Sequence, residues 1–357
     1  MRSLRFALPA LMLMLATWNA DAATFVYVSK APENQIAVFR MNEQDGSLKP
    51  VGTVDVGGAP GSLAVSHDKK FLFASLRSTF LIGSYAIDPV TGLLALVNTT
   101  KLADGANAAY VATDMTDRYL LAASYAGGRV TVHAVDESGK LGAEPVQVVE
   151  TTKTAHAAMV HPGNKLLLVP HVAPNAVYQF RFDAATGKLT DAGQAPGGAE
   201  GAGPRHLAIH PSLKYAFTSN ESGSGVTLYG LDEAQGLKPL QTLSTLPEGY
   251  AAKNTTADVK VHPSGRFVWV SNRGHDSLAG FAFDLASAKL TSLGQTPTEK
   301  TPRSFAIDPA GKYLYGAGEG TGKLAAYRID ESTGALERFT EYEIGKSLTW
   351  VLAVQVP

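Results

Sequence analysis

Short runs that start on an aromatic or long side chain and continue through apolar positions recur along the chain. They begin at Phe25, Phe71, Tyr119, Lys165, Tyr215, Phe267 and Tyr313, with steps of 46, 48, 46, 50, 52 and 46 residues. Around six of the seven runs the same full pattern repeats. A short apolar strand comes first, such as Leu207 to Ile209 or Phe305 to Ile307. A turn follows, such as His161-Pro162, His210-Pro211, His262-Pro263 or Asp308-Pro309, in which proline presets φ. After the core run comes an alternating segment such as Val130 to Val135, whose period of two predicts a strand. A second turn, as at Asp183 to Gly187 and Asp330 to Gly334, leads to a polar last strand suited to an outer edge. Four strands per repeat and seven repeats predict an all-β, seven-bladed β-propeller of four-stranded antiparallel blades.

The two ends of the chain do not match. The first repeat lacks its inner strand and turn. The last is complete by Ile344, yet an apolar run continues from Trp350 to Val356. That tail is predicted to supply the missing inner strand beside Phe25 to Val28 and so to close the ring. Separate blades would be too small to bury a core alone. Residues 23–357 therefore read as a single propeller domain.

Residues 1–22 read as a signal peptide. Arg2 and Arg5 precede an apolar run from Phe6 to Trp18, and Ala20-Asp21-Ala22 offers small residues for cleavage. The run is short for a membrane span, so the mature chain is expected to be exported, free of the membrane and periplasmic. The chain has no cysteine, which excludes a thiol nucleophile, Cys-ligated zinc and disulfides. Its 31 basic and 32 acidic residues form no basic arm or stripe, which argues against nucleic acid as a partner.

In a propeller the strand exits and the loops between blades gather at the channel mouths. Three polar stretches stand there. Gly201 to His206 leads into an inner strand, and Arg205 offers a planar fork for carboxylate or phosphate. Pro302-Arg303 holds the same position in the last repeat. Ser219-Asn220-Glu221 and Ser271 to Asp276 leave core strands in the same phase, placing Glu221, Arg273 and His275 near a mouth, with Asp276 expected to hold its loop. The recurrence of His161, His210 and His262 before proline marks them as turn residues. His156 lies instead in the phase of Arg205, and His171 and Asn175 follow the core strand of its repeat. No metal-binding motif, nucleophile elbow, P-loop or dinucleotide fingerprint is present. No cofactor is required by this reading, while a divalent cation held by channel carbonyls is not readable from sequence. Oligomeric state is not readable either.

Beyond the period, the chain carries Ala123 to Val130, Gly203-Pro204-Arg205-His206, Ser219-Asn220-Glu221, Ala257 to Pro263, Ser271 to Ser277 and Pro302-Arg303. With these it resembles the seven-bladed β-propeller lactonase family, which includes 6-phosphogluconolactonases and is similar to fungal carboxy-muconate lactonising enzymes. Its character is that of the family's periplasmic gluconolactonases. The resemblance implies a small-molecule sugar lactone as substrate, hydrolysed to the aldonic acid. It implies catalytic roles for His156, Arg205, Glu221 and Arg273. His206, Arg303, His171, Asn175 and His275 are expected to contact substrate. Where relatives carry His-Ala-His, this chain has Thr154-Ala155-His156. Where many carry two acids after the next strand, it has His171 to Asn175. These departures and the export signal favour an unphosphorylated, gluconolactone-type substrate. His156 is preferred as general base, since an unperturbed imidazole titrates near neutrality, with Glu221 orienting the water or serving as base. A carboxy-muconate-type cycloisomerase and a non-catalytic ligand- or protein-binding propeller are the alternatives. Convergence of His, Glu and Arg at one mouth would separate an enzyme from the last.

Overall fold

At five blade boundaries the aromatic that opens a core strand meets the glycine that closes the second turn of the neighbouring blade. In the computed structural model, which describes residues 22–102 and 106–357, Gly92 lies on the Phe25 ring, Gly139 on Phe71, Gly187 on Tyr119 and Gly334 on Phe267. Gly46 lies on Tyr313 and carries the same contact across the ring closure. All five have positive φ, and a β-carbon there would enter the neighbouring ring, so both the conformation and the space demand glycine.

Among the described residues the strands form seven four-stranded antiparallel sheets. Each blade runs from an inner strand at the channel to an outer edge. Core strands are buried on both faces, as in Leu166–His171, where every residue is buried. Outer strands such as Lys188–Pro196 expose most positions. The apolar clusters are shared between neighbours. One joins Phe217, Val226 and Leu228 of blade 5 to Val268, Val270 and Phe281 of blade 6. The turn histidines add polar ties, with His210 Nε2 against Gly265 O at 3.0 Å and His262 Nε2 against Gly311 O at 2.8 Å.

The C-terminal strand, Leu348–Val356, pairs antiparallel with Ala23–Lys30, with Val351 opposite Val28 and Val356 opposite Ala23. The predicted closure is therefore the observed one. The expected signal peptide covers residues 1–22, of which 1–21, including the apolar run, lie outside the described residues. Among the described residues no helix is long and apolar enough to cross a membrane.

One irregularity positions the site. Several inner strands break register soon after they begin. The breaks lie between Pro60 and Leu63 in blade 2, Ala108 and Tyr110 in blade 3, Pro204 and Leu207 in blade 5, Thr256 and Val259 in blade 6, and Pro302 and Ser304 in blade 7. Such bulges re-aim side chains. In blade 4 the inner strand shrinks to Met159–Val160, and the preceding segment touches the core strand through a single bridge between Ala155 and His171.

Candidate active site

The bulged positions supply much of the channel lining. A narrow cavity is walled by Arg77, His156, Arg205, Arg303 and Trp350, with Gly61, Ser62, Ala109 and Thr349 between them. Gly61 and Ser62, Ala109, Arg205 and Arg303 are bulge residues of blades 2, 3, 5 and 7. His156 is next to the lone bridge of blade 4.

Glu221 immediately follows the core strand Tyr215–Asn220, and its amide donates to Gly203 O at 2.7 Å. Arg273 ends the core strand Phe267–Arg273 of the next blade. Its Nη2 donates to Glu221 Oε1 at 2.6 Å and to Thr256 O at 2.9 Å. On the other side, Arg205 Nε stands 3.6 Å from Glu221 Oε2, an ion-pair separation too long for a hydrogen bond. One carboxylate thus lies between two guanidinium groups. Arg205 Nε, Glu221 Oε2, Arg273 Nε and Thr256 Oγ1 are buried without hydrogen-bond partners, as is His156 Nδ1. Buried polar atoms are normally paired, so this concentration of free valences marks a place built for a ligand.

Arg205 is the most deeply held member, with its side chain 1% exposed. Burial, Arg303 and Arg273 all work against its charge, while Glu221 and Asp258 support it. Its Nη1 donates to Ala257 O at 2.7 Å and faces His206 Nε2 at 3.1 Å. His156 is wedged edge-to-face between Tyr125 and His206, with centroid distances of 5.2 Å to each. Burial, then the Arg205 guanidinium, holds its pKa well below that of a free imidazole. This corrects the sequence argument for His156 as an unperturbed imidazole. It is neutral at physiological pH and remains a proton acceptor of weakened basicity.

The structure brings His156, Arg205, Glu221, Arg273 and Arg303 to one mouth. Arg303 Nη1 is 3.6 Å from Glu319 Oε2 and lines the cavity. Four other residues expected to contact substrate are committed elsewhere. His206 lies behind Arg205, its Nδ1 on Asp258 Oδ1 at 2.9 Å. His171 is fully buried, stacks on Tyr178 at 3.9 Å, and spends its nitrogens on Val169 O and Thr151 Oγ1. Asn175 receives Gly203 N and donates to Ala199 O, which fixes the loop ahead of Arg205. His275 Nδ1 meets Ser277 Oγ at 2.8 Å and its ring meets Tyr250. In His206 and His171 protein partners take both ring nitrogens, and in Asn175 they take both ends of the amide, whereas His275 keeps Nε2 without a protein partner. Asp276 holds its loop as expected, accepting from Gly274 N and Thr301 N.

Sequence reasoning missed Arg77, Tyr125 and Glu319. Each sits six positions after the start of its core run, the phase of Glu221 and Arg273, so a signal was available. Arg77 Nε donates to Asn107 Oδ1 at 3.2 Å. Gly61 makes room for it, because a β-carbon there would be 2.8 Å from Arg77 Cδ. Among the described residues no group of three or more His, Cys, Asp or Glu is arranged to hold a metal ion.

Comparison with known proteins identifies the architecture further. The family model for lactonase, 7-bladed β-propeller, matches residues 25–353. The chain belongs to the seven-bladed β-propeller lactonase family. It is 34% identical over 328 residues to a 6-phosphogluconolactonase of Pectobacterium carotovorum, covering 91% of this chain and 97% of that one. It is 33% identical over 328 residues to a 6-phosphogluconolactonase of Serratia proteamaculans, with the same coverage. Among solved structures it is similar to a periplasmic gluconolactonase of Pseudomonas aeruginosa, with a TM-score of 0.85 and 26% identity over 94% of this chain and 99% of that one. The lactonase family thus provides the frame for reading the cluster around Glu221.

Proposed function

We propose that this protein hydrolyses a sugar δ-lactone of the gluconolactone type to the aldonic acid by direct attack of water. The observation that carries the reading is Glu221 held between Arg205 and Arg273, with His156 lining the same cavity as Arg205. The buried unpartnered polar atoms there mark a ligand site, and the convergence of a carboxylate, two guanidinium groups and an imidazole favours catalysis over binding alone.

In this mechanism Glu221 Oε2 accepts a hydrogen bond from the attacking water and orients it. As the water oxygen bonds to the lactone carbonyl carbon, its proton passes to neutral His156. The carbonyl oxygen becomes an oxyanion, met by the guanidinium groups of Arg205 and Arg273. Donors fixed in advance for such a charge are typically worth about 3 kcal/mol each. Arg303 adds positive potential from across the cavity. Collapse of the tetrahedral intermediate breaks the bond to the ring oxygen, which takes the proton from His156. The product is the open-chain aldonic acid, which loses its proton to solvent. The oxyanion forms beside His156 and favours the imidazolium at that moment, which offsets the weak basicity of the resting ring.

The departures at Thr154 and Asn175 support an unphosphorylated substrate, as does the apolar leader, since sugar oxidation outside the cytoplasm supplies free lactones. The name of the Pseudomonas relative agrees with this and with a periplasmic location. The names of the Pectobacterium and Serratia relatives point to the 6-phosphate. The test is kcat/KM for glucono-δ-lactone and for its 6-phosphate, above spontaneous hydrolysis and with and without chelator. Higher efficiency on glucono-δ-lactone, unaffected by chelator, is expected. Preference for the phosphate reverses the substrate choice, and loss on chelation replaces direct attack by a metal-bound water.

A further inference from the structure

We infer that Lys260, at the far end of the channel, is a positioning residue for Arg205, acting through Asp258 and His206. This rests on the reading of Arg205 as the oxyanion donor. Lys260 lies near the end of the inner strand Thr255–Val261, beside the proline turns that mark the opposite mouth. Its side chain is 31% exposed, whereas that of Asp258 is fully buried. Lys260 Nζ donates to Asp258 Oδ1 at 2.9 Å. The same oxygen accepts from His206 Nδ1 at 2.9 Å, and His206 Nε2 meets Arg205 Nη1 at 3.1 Å. A continuous polar chain therefore runs through the channel floor from one mouth to the catalytic arginine.

The chain has a defined direction. Asp258 is ionised, because Lys260 and the His206 hydrogen bond outweigh the burial that would otherwise raise its pKa. The carboxylate has no proton to donate, so His206 Nδ1 carries the hydrogen and Nε2 presents its lone pair to Arg205. Only neutral His206 can do this. Burial first, then Arg205, pushes its pKa down to about 3, and Lys260 acts in the same direction while Asp258 opposes both. The contact between His206 and Asp258 is thus a charge–dipole hydrogen bond and no ion pair. The other groups facing the ring are His156, Tyr110 and Trp350.

Asp258 also accepts from Ser304 Oγ and Phe305 N of blade 7, so the arrangement ties three blades behind one guanidinium. Without Lys260, Asp258 Oδ1 loses a donor and its charged partner, so its hold on His206 Nδ1 loosens and with it the seating of Arg205 Nη1 on His206 Nε2. Burial and Arg205 still keep the ring neutral near neutrality, but protonation on acidification sets in at higher pH, and it would turn an N–H toward Arg205 Nη1. A partly exposed lysine can be replaced without opening the core, which separates its role from that of the buried aspartate.

The experiment compares the full mature chain with Lys260→Met and Lys260→Arg. By analogy with residues that support reactive groups from behind, Lys260→Met should lower kcat about tenfold with little change in KM. It should also move the acid limb of the kcat profile to higher pH, and Lys260→Arg should restore both. Nitrogen-15 NMR of the imidazoles supplies a second reading independent of turnover. His206 should be the Nδ1–H tautomer in the wild type and should titrate at higher pH in Lys260→Met. Unchanged kcat and acid limb in Lys260→Met, or an Nε2–H tautomer, or an unmoved His206 titration, overturns the inference. A wild type that opens no sugar lactone sinks the hydrolase reading instead, and the NMR comparison still decides the chain.

Discussion

Arg273 Nη2 and Glu221 Oε1 lie 2.6 Å apart, although 52 positions of sequence and a blade boundary separate the two residues. Each leaves its core strand in the same phase, so rotation from one blade to the next is what makes them neighbours. The contact holds the carboxylate on one side while its other oxygen stays open toward Arg205. Removing Arg273 should therefore affect chemistry more than folding. Arg273→Met is expected to reduce kcat about a hundredfold, the loss typical for one oxyanion donor, with a Tm close to wild type. Steady-state kinetics and a melting curve check this, and near-normal kcat would remove Arg273 from the mechanism.

Glu221→Gln should behave differently. The Arg205 side chain is 1% exposed and has two further arginines as electrostatic neighbours. Loss of the carboxylate leaves a buried charge short of compensation, which typically costs about 3 kcal/mol or more. A clear fall in denaturation midpoint is expected together with loss of lactonase activity. A stability equal to wild type would mean that the ion pair is dispensable for holding Arg205.

Gly61→Ala tests the newly recognised Arg77. The added β-carbon would stand 2.8 Å from both Arg77 Cδ and Ser75 Oγ. The long side chain is the part that can move, so the fold should survive while Arg77 leaves the cavity wall. KM should rise several-fold with kcat less affected, and Arg77→Met should reproduce the effect. An unchanged KM in both variants would assign Arg77 to the scaffold.

Truncation after Ser347 removes the strand that pairs with Ala23–Lys30. It deletes buried Leu348, Trp350, Val351, Val354 and Val356. Burial of each large apolar side chain contributes about 1.5–3 kcal/mol, and their sum is comparable with the whole stability of a domain. The truncated chain should fail to give a cooperative melt. A melting transition at the wild-type temperature would show that the ring closes without this strand.

Stability should also fall on acidification well above the carboxylate range. Burial lowers His133 and His171 to about 4 and His206 to about 3. The unfolded chain takes up protons from about pH 6.5, whereas these folded rings resist them. Their contribution is complete above that pH and is lost progressively down to about pH 3 to 4. Lowered Asp258 adds a loss in the same direction at lower pH. Tm measured from pH 8 to 4 should begin to drop near 6.5, and a flat profile down to pH 5 would contradict the burial of these rings.

The sequence by itself determined the propeller, its blade count and its closure, because these depend on period, alternation and turn chemistry, which are local and repeated. The aromatic at the head of six of the seven core runs and the recurring glycine of the second turns are both legible. That Gly92 sits on Phe25, and Gly46 on Tyr313, was decided only when adjacent blades packed. The candidate cluster was partly legible too, since strand exits share a phase, and Glu221 and Arg273 were found that way. The same phase holds Arg77, which reaches the cavity, and His171, which turns into its blade to stack on Tyr178. Sequence position fixes where a side chain leaves the backbone. Which way it points depends on the bulges of the inner strands and on the partners already waiting there. For that reason the tertiary structure alone placed His206 behind Arg205, tied it to Asp258, and lowered the basicity of His156.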